Sequence, residues 1–186
     1  TNNGTWSGIV YTEGAERKHR LRLKDMIGQA IEAGRDAGVL STQWPNTVYA
    51  TAHFSRADLS SFRDYSHLKV RFDSIRGTYV TLGQPYRCRY TDRNNHSRQL
   101  TIHLRDTATL SPAGSKLATL GELHGLPKLD IGVEMLGHMD VLLKEDPELF
   151  EAYAIRDAEI AALHAWEMTE FSISIGLGDT PPVTLG

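Results

Sequence analysis

Cysteine is almost absent from this chain. Cys88 is the one copy in 186 residues, so no internal disulfide forms, and without Cys-x-x-Cys or Cys/His spacing around it a structural zinc site is excluded. Long apolar runs are missing as well, none approaching the roughly 18 residues of a membrane-crossing helix. No charge sign dominates: 20 Lys and Arg stand against 23 Asp and Glu, a formal net charge of −3. That balance excludes a strongly basic nucleic-acid coat and leaves room for a local basic groove. The eight histidines include no His-x-His or His-Glu-x-x-His pairing. His53, His103, His124 and His138 are therefore singly placed, and zinc-hydrolase chemistry has no motif to rest on. The opening Thr1-Asn2-Asn3-Gly4 is neither a charged signal region nor an apolar one, so no secretory segment is visible, and a cytoplasmic, reducing setting is expected. A start at Thr1 rather than Met reads as processing or as an excerpt from a longer chain.

What is present suits one globular domain with a short appendage: 40% of the residues are hydrophobic and 23% charged. The expected division is a domain over residues 1–170 and a linker, or the start of a further segment, over 171–186, where Gly176, Gly178, Pro181 and Pro182 lie. Thr5 to Tyr11, aromatic and β-branched, reads as a strand turning at Glu13-Gly14, with Arg17 to Leu23 as its hairpin partner. From Asp25 as N-cap, Met26, Ile27, Ala30, Ile31 and Ala37 recur at helical spacing until Gly38. Thr47 to Phe54 is nearly uncharged, as a strand buried on both faces should be, and Ser55 opens a helical stretch to about Tyr65. Segments at 69–73, 77–82, 86–91 and 98–104 alternate as strands, with Arg93-Asn94-Asn95-His96 as a polar turn. Ser115 to Leu123 reads as a helix stopping at Gly125. Asp146 as cap and Pro147 at the first helical position open a last helix over 147–168. Strands alternating with helices, plus a run of middle strands, predict an α/β fold with a mixed sheet flanked by helices.

Three places carry candidate chemistry. In the last helix Asp157 stands four residues after Tyr153 and three before Ile160, a carboxylate on the stripe that otherwise faces the core. Such a group is paired, protonated or metal-bound; at the helix edge, pairing with Arg156 or another cation is the bland alternative. At the end of the uncharged strand, His53-Phe54-Ser55-Arg56-Ala57-Asp58 passes from strand to helix, where ligands bind in open α/β sheets. Asp58 is equally suited to favouring the following helix's first turn. The third place is Leu126-Pro127-Lys128-Leu129-Asp130, a lysine in a proline-fixed loop, which taken by itself reads as a solvated surface lysine.

The order of these three, an acid after a strand, a loop lysine, then Tyr-x3-Asp on a late helix, resembles the 3′–5′ exonuclease domains of the DnaQ-like, ribonuclease H-like fold. The likeness is greatest to the proofreading domain of protein-primed family B DNA polymerases. His53 to Asp58 is similar to the second exonuclease motif of that family, usually His-Asn-x-x-Phe-Asp, with Phe54 in place of Asn and Ala57 in place of Phe. Tyr153-Ala-Ile-Arg-Asp157 matches the third, Tyr-x3-Asp. Arg105-Asp106-Thr107 and Pro127-Lys128-Leu129-Asp130-Ile131 resemble the stretch between them, which holds a functional lysine in the family. The first motif, Asp-x-Glu on the strand before Thr5 to Tyr11, is absent, and the first acid available, Glu13, falls in a turn; the expected fold therefore lacks or truncates its first strand. The resemblance covers roughly residues 5–168, with about twenty positions carrying it.

The resemblance implies hydrolysis of the 3′-terminal phosphodiester of single-stranded DNA, with nucleoside monophosphates as products. Two divalent ions, Mg²⁺ or Mn²⁺, about 3.5–4 Å apart in such sites, clamp the attacking and leaving oxygens; they favour carboxylate oxygens. It assigns Asp58 and Asp157 as metal ligands, Tyr153 to orient the attacking water and Lys128 to support it or the scissile phosphate. The strand would be held by His53, Phe54, Arg56, Phe62 and Arg105, with Arg63 a further cation, aromatic rings stacking on unpaired bases. A polymerase domain in the parent chain is the implied partner, and no membrane. With two of four acids missing, weak or no activity is expected of these residues alone, and a non-catalytic nucleic-acid-binding or structural module on the same fold is the alternative. Tyr90-Thr91-Asp92 looks like a polymerase motif but precedes a polar turn without partner acids.

Overall fold

The computed structural model of the protein describes residues 4–12, 14, 16–41, 43–75, 79–82 and 84–184. The chain divides into two compact units, residues 1–106 and 107–186. In the first, helix α1 (Leu23–Asp36) forms because Leu23, Ile27 and Ile31 recur every fourth residue, and all three are buried. It starts ahead of the expected cap Asp25: Asp64 Oδ1 accepts from Leu23 N at 3.1 Å, a cap no local pattern reveals. Gly38, at φ 70°, follows its end. Strand β1 (Thr47–Ala52) leads into the short helices α2 (Ser55–Leu59) and α3 (Tyr65–Lys69), where the sequence predicts one continuous helix. Then come β2 (Phe72–Ile75), β3 (Tyr79–Leu82), β4 (Tyr86–Thr91) and β5 (Ser97–Asp106).

Strands β1, β5 and β4 form a mixed sheet in that order, β1 parallel to β5 from Thr47↔Thr101 to Ala52↔Asp106, and β4 antiparallel from Tyr86↔Ile102 to Thr91↔Ser97. β2 and β3 pair antiparallel. The mixed α/β class is thus as expected, but the central strand is β5, not β1. β1 is only half-buried, whereas Leu100, Ile102, Leu104 and Asp106 put one face of β5 in the interior. The charged and aromatic groups on its other face conceal that burial from a reading of the sequence: His103 stacks on Tyr49 at 4.7 Å and Arg105 lies over the same ring. Gly28 lets α1 approach β4, since a Cβ there would stand 2.5 Å from the Tyr90 ring. Tyr90 in turn stacks on Trp44 and donates to Glu32 Oε2 at 2.8 Å.

Two expectations at the start of the chain are corrected. The described residues of 5–11 form no strand, and 17–23 supplies a single 3-10 turn, Arg17–His19, before α1 begins. β-branched and aromatic content favours a strand only where a partner ladder exists. Glu13 lies outside the described residues.

The second unit opens with a 3-10 turn, Thr107–Leu110, followed by α4 (Leu117–Leu123), α5 (Val133–Leu136), α6 (Met139–Glu145) and α7 (Pro147–Ser174). Asp146 accepts from Leu149 N at 2.9 Å and Pro147 follows it, the expected start. The helix runs past the expected residue 168 to Ser174, and beyond it Val183 O accepts from Thr109 Oγ1 at 2.6 Å. α7 buries Tyr153, Ile160, Ala161 and Ala165. Gly121 of α4 lets the following loop fold close, for a Cβ there would meet Leu126 O at 2.6 Å and Ile160 Cδ1 at 2.9 Å. Among the described residues no helix is long and apolar enough to cross a membrane.

Candidate functional site

In the first unit the candidate residues gather where β1 ends. Asp106, at the last position of β5 and 2% exposed, reaches across to the segment after β1. Its Oδ1 accepts from Phe54 N at 2.8 Å, and its Oδ2 accepts from Ser55 N and Ser55 Oγ, each at 2.9 Å. A carboxylate accepting three donors fixes the turn from strand to helix. Phe54 is held there at φ 64°, ψ 49°, a left-handed conformation rare for a bulky side chain, with its ring exposed. Asp58 and Arg56 lie in α2 and are exposed, and His53 is half-buried. Phe62 packs half-buried against this unit's core. The Arg105 guanidinium lies 5.5 Å from the Tyr49 ring centroid and donates to Leu104 O at 2.9 Å. Burial, more than the opposing effect of Tyr49, lowers its pKa.

Asp106 is legible in the sequence only as part of a resembling stretch; nothing local marks it as the clamp. Its partners lie 51 and 52 residues away in sequence, so only the parallel register Ala52↔Asp106 brings them together.

In the second unit the structure unites three of the expected residues. Tyr153 and Asp157, four residues apart, share one face of α7, and the loop after α4 sets Lys128 against both. Lys128 Nζ donates to Asp157 Oδ2 at 2.7 Å and lies 4.7 Å from the Tyr153 ring centroid. The loop is tied to the helix by Arg156 Nη1, which donates to Pro127 O at 2.7 Å. Burial works against the ammonium of Lys128, but Asp157 and Tyr153 beside it prevail and raise its pKa. Asp157 is thus paired with a cation, as one reading of the sequence allows, and that cation is Lys128, not Arg156.

The sequence conceals a histidine pairing as well. His124 Nε2 lies 2.8 Å from His164 Nδ1, His124 Nδ1 lies 2.9 Å from Glu167 Oε2, and His164 Nε2 lies 3.0 Å from Ser111 Oγ. This mostly buried row ties the first turn of the unit to α4 and α7; His124 is therefore not singly placed.

The divalent ions implied by the resemblance can be tested against these side chains. Asp157 Oδ1 is buried with no hydrogen-bond partner among the described residues, an acceptor without a donor. Oxygen of that kind suits a hard cation. No group of three or more His, Cys, Asp or Glu gathers at metal-binding distance among the described residues. Mg²⁺ is commonly held by one or two carboxylates together with substrate phosphates, and the leftover Asp157 oxygen is of the type such an ion takes.

No protein-family model matches the chain, and no solved structure matches it. Over 197 aligned positions it is 34% identical to the primer-independent DNA polymerase PolB of Escherichia coli, an alignment covering 97% of this chain and 23% of that protein. The chain thus spans about a quarter of the polymerase's length, and the similarity relates it to one segment of a DNA polymerase.

Proposed function

We propose that the chain is a metal-dependent 3′–5′ exonuclease (proofreading) domain of a family B DNA polymerase-like protein, acting on the 3′ end of single-stranded DNA. The observation that carries this reading is the Lys128–Asp157–Tyr153 group: a loop cation set against one helix face that carries a phenol and a carboxylate with one oxygen unpartnered among the described residues. Similarity to a segment of a DNA polymerase supports it. Asp58 and Asp157 would hold Mg²⁺ or Mn²⁺, whose role when bound is to neutralise charge on the phosphoryl oxygens and activate water. Lys128, kept as an ammonium by its neighbours, cannot serve as a base and instead offsets phosphate charge. The Tyr153 hydroxyl orients the attacking water. Phe54, exposed at the strand end, offers a face on which an unpaired base stacks, while His53, Arg56, Phe62 and Arg105 hold the strand.

The second reading, a non-catalytic nucleic-acid-binding or structural module, draws on one observation: the Lys128 ammonium already occupies Asp157 Oδ2, and such a pair is stable without any metal. Degradation assays separate the two. A protein extended upstream to include an Asp-x-Glu motif is expected to release nucleoside monophosphates from the 3′ end of single-stranded DNA, with loss of several orders of magnitude in Asp58→Ala. This chain alone is expected to show little or no Mn²⁺-dependent activity. Strand binding without degradation by the extended protein favours the second reading.

A further inference from the structure

A cavity of about 560 Å³ opens in the first unit between the start of α1, the turn preceding α3 and strand β4; its lining includes Arg22, Lys24, Arg63, Asp64, Arg87 and Cys88. Four cations and one carboxylate make it strongly positive in a chain whose net charge is −3. The one acid, Asp64, whose Oδ1 accepts from Leu23 N at the head of α1, balances a single one of these charges. Among the described residues Lys24 Nζ donates to a backbone carbonyl, Arg89 O at 2.8 Å, and Arg63 Nη1 likewise donates to Lys18 O at 3.1 Å. Arg63 Nε is buried with no acceptor among the described residues. Arg22 and Arg87 are exposed and make no ion pair among the described residues. Four cations brought together around one acid repel one another, and a polyanion inside the cavity relieves that repulsion.

We propose that this cavity binds a phosphate ester anion. The volume lies within the range of small-molecule sites. Guanidinium forks match phosphate oxygens in pairs, and Lys24 adds a point charge. Two sources carry that chemistry, a free diphosphate or nucleotide and the backbone of a nucleic-acid strand. The proposal does not depend on the exonuclease reading, and its test uses no nuclease activity.

Cys88 is the chain's sole thiol and lines this cavity, so its alkylation by iodoacetamide, followed by mass spectrometry, reports occupancy. Inorganic pyrophosphate and a short oligothymidylate are the two probes, used at low salt. Occupancy is expected to slow alkylation about tenfold at a probe concentration about ten times its dissociation constant. Protection by pyrophosphate assigns the free anion, and protection by the oligonucleotide alone assigns the backbone. The doubly substituted Arg22→Glu, Arg87→Glu protein, changed only at exposed side chains, is expected to lose protection, and Lys144→Glu in the second unit to keep it. The proposal is overturned if neither probe slows alkylation, if the double variant stays protected, or if Lys144→Glu loses protection equally.

Discussion

Phe54 holds a backbone conformation that a bulky L-residue adopts only under constraint, and the constraint is visible: Asp106 accepts the N–H of Phe54 and of Ser55 and the Ser55 hydroxyl. Without that carboxylate, donors in a buried turn lose their acceptor. Asp106→Ala is expected to cost about 3 kcal/mol, read as a shift of the denaturant midpoint at unchanged slope; a loss within experimental error would remove Asp106 as the clamp. Phe54 is 42% exposed, so the burial of the rest of its surface opposes the roughly 1–3 kcal/mol of left-handed strain at such a residue. Phe54→Gly is therefore expected to leave stability within about 1 kcal/mol of the unsubstituted chain and to weaken single-stranded DNA binding by about 1–3 kcal/mol per stacked base. A larger loss of stability in Phe54→Gly would mean that the ring, not the backbone, sets the energetics there. The motif positions around it are readable in the sequence because residue type and spacing are local.

At the scale of elements, the placement of Lys128 depends on a close approach. Gly121 has no room for a Cβ against Leu126 O and Ile160, and Lys128 N lies 3.3 Å from where that Cβ would stand. Gly121→Ala is expected to push the 126–128 loop outward, costing about 1–3 kcal/mol and weakening the Lys128–Asp157 pair; a structure of the variant with the 2.7 Å contact intact would refute this. The β4–β5 hairpin makes a different prediction. Burial works against the Asp92 carboxylate, but Arg98 and the N–H groups of His96 and Asn94 prevail and lower its pKa to about 2. Because the unfolded value is about 3.9, its stabilisation is fully present above that pH and is lost as pH falls from about 4 to 2. Melting temperatures of Asp92→Asn should fall less across that window than those of the unsubstituted chain; parallel curves would contradict the assignment. Helices α1 and α7 are legible because their apolar spacing, and for α7 its cap, lie within a few residues. The central place of β5 is not, because stacking with Tyr49 accommodates His103 and Arg105 on one face of an otherwise buried strand, and the α1 cap comes from Asp64, far along the chain.

For the whole molecule, the expected α/β class with a mixed sheet is present, and the candidate chemistry falls in both units: Asp58 and the Asp106 clamp in residues 1–106, Lys128, Tyr153 and Asp157 in residues 107–186. The local motifs of the second unit are readable in the sequence alone, since Tyr-x3-Asp needs only the helix period. That Lys128 is the partner of Asp157 is not, because the two are 29 residues apart and meet only through the fold of the loop. Asp157 and Asp58 are proposed to serve phosphodiester hydrolysis, and not merely a structural ion pair and a helix turn. The most direct test is the single-turnover rate of 3′-end removal from single-stranded DNA with Mg²⁺, in a protein extended to carry Asp-x-Glu, with and without Asp157→Ala and Asp58→Ala. A loss of at least about 10³-fold in each variant, with strand binding retained, is the predicted result; 3′-end removal at an unchanged rate in either variant contradicts it.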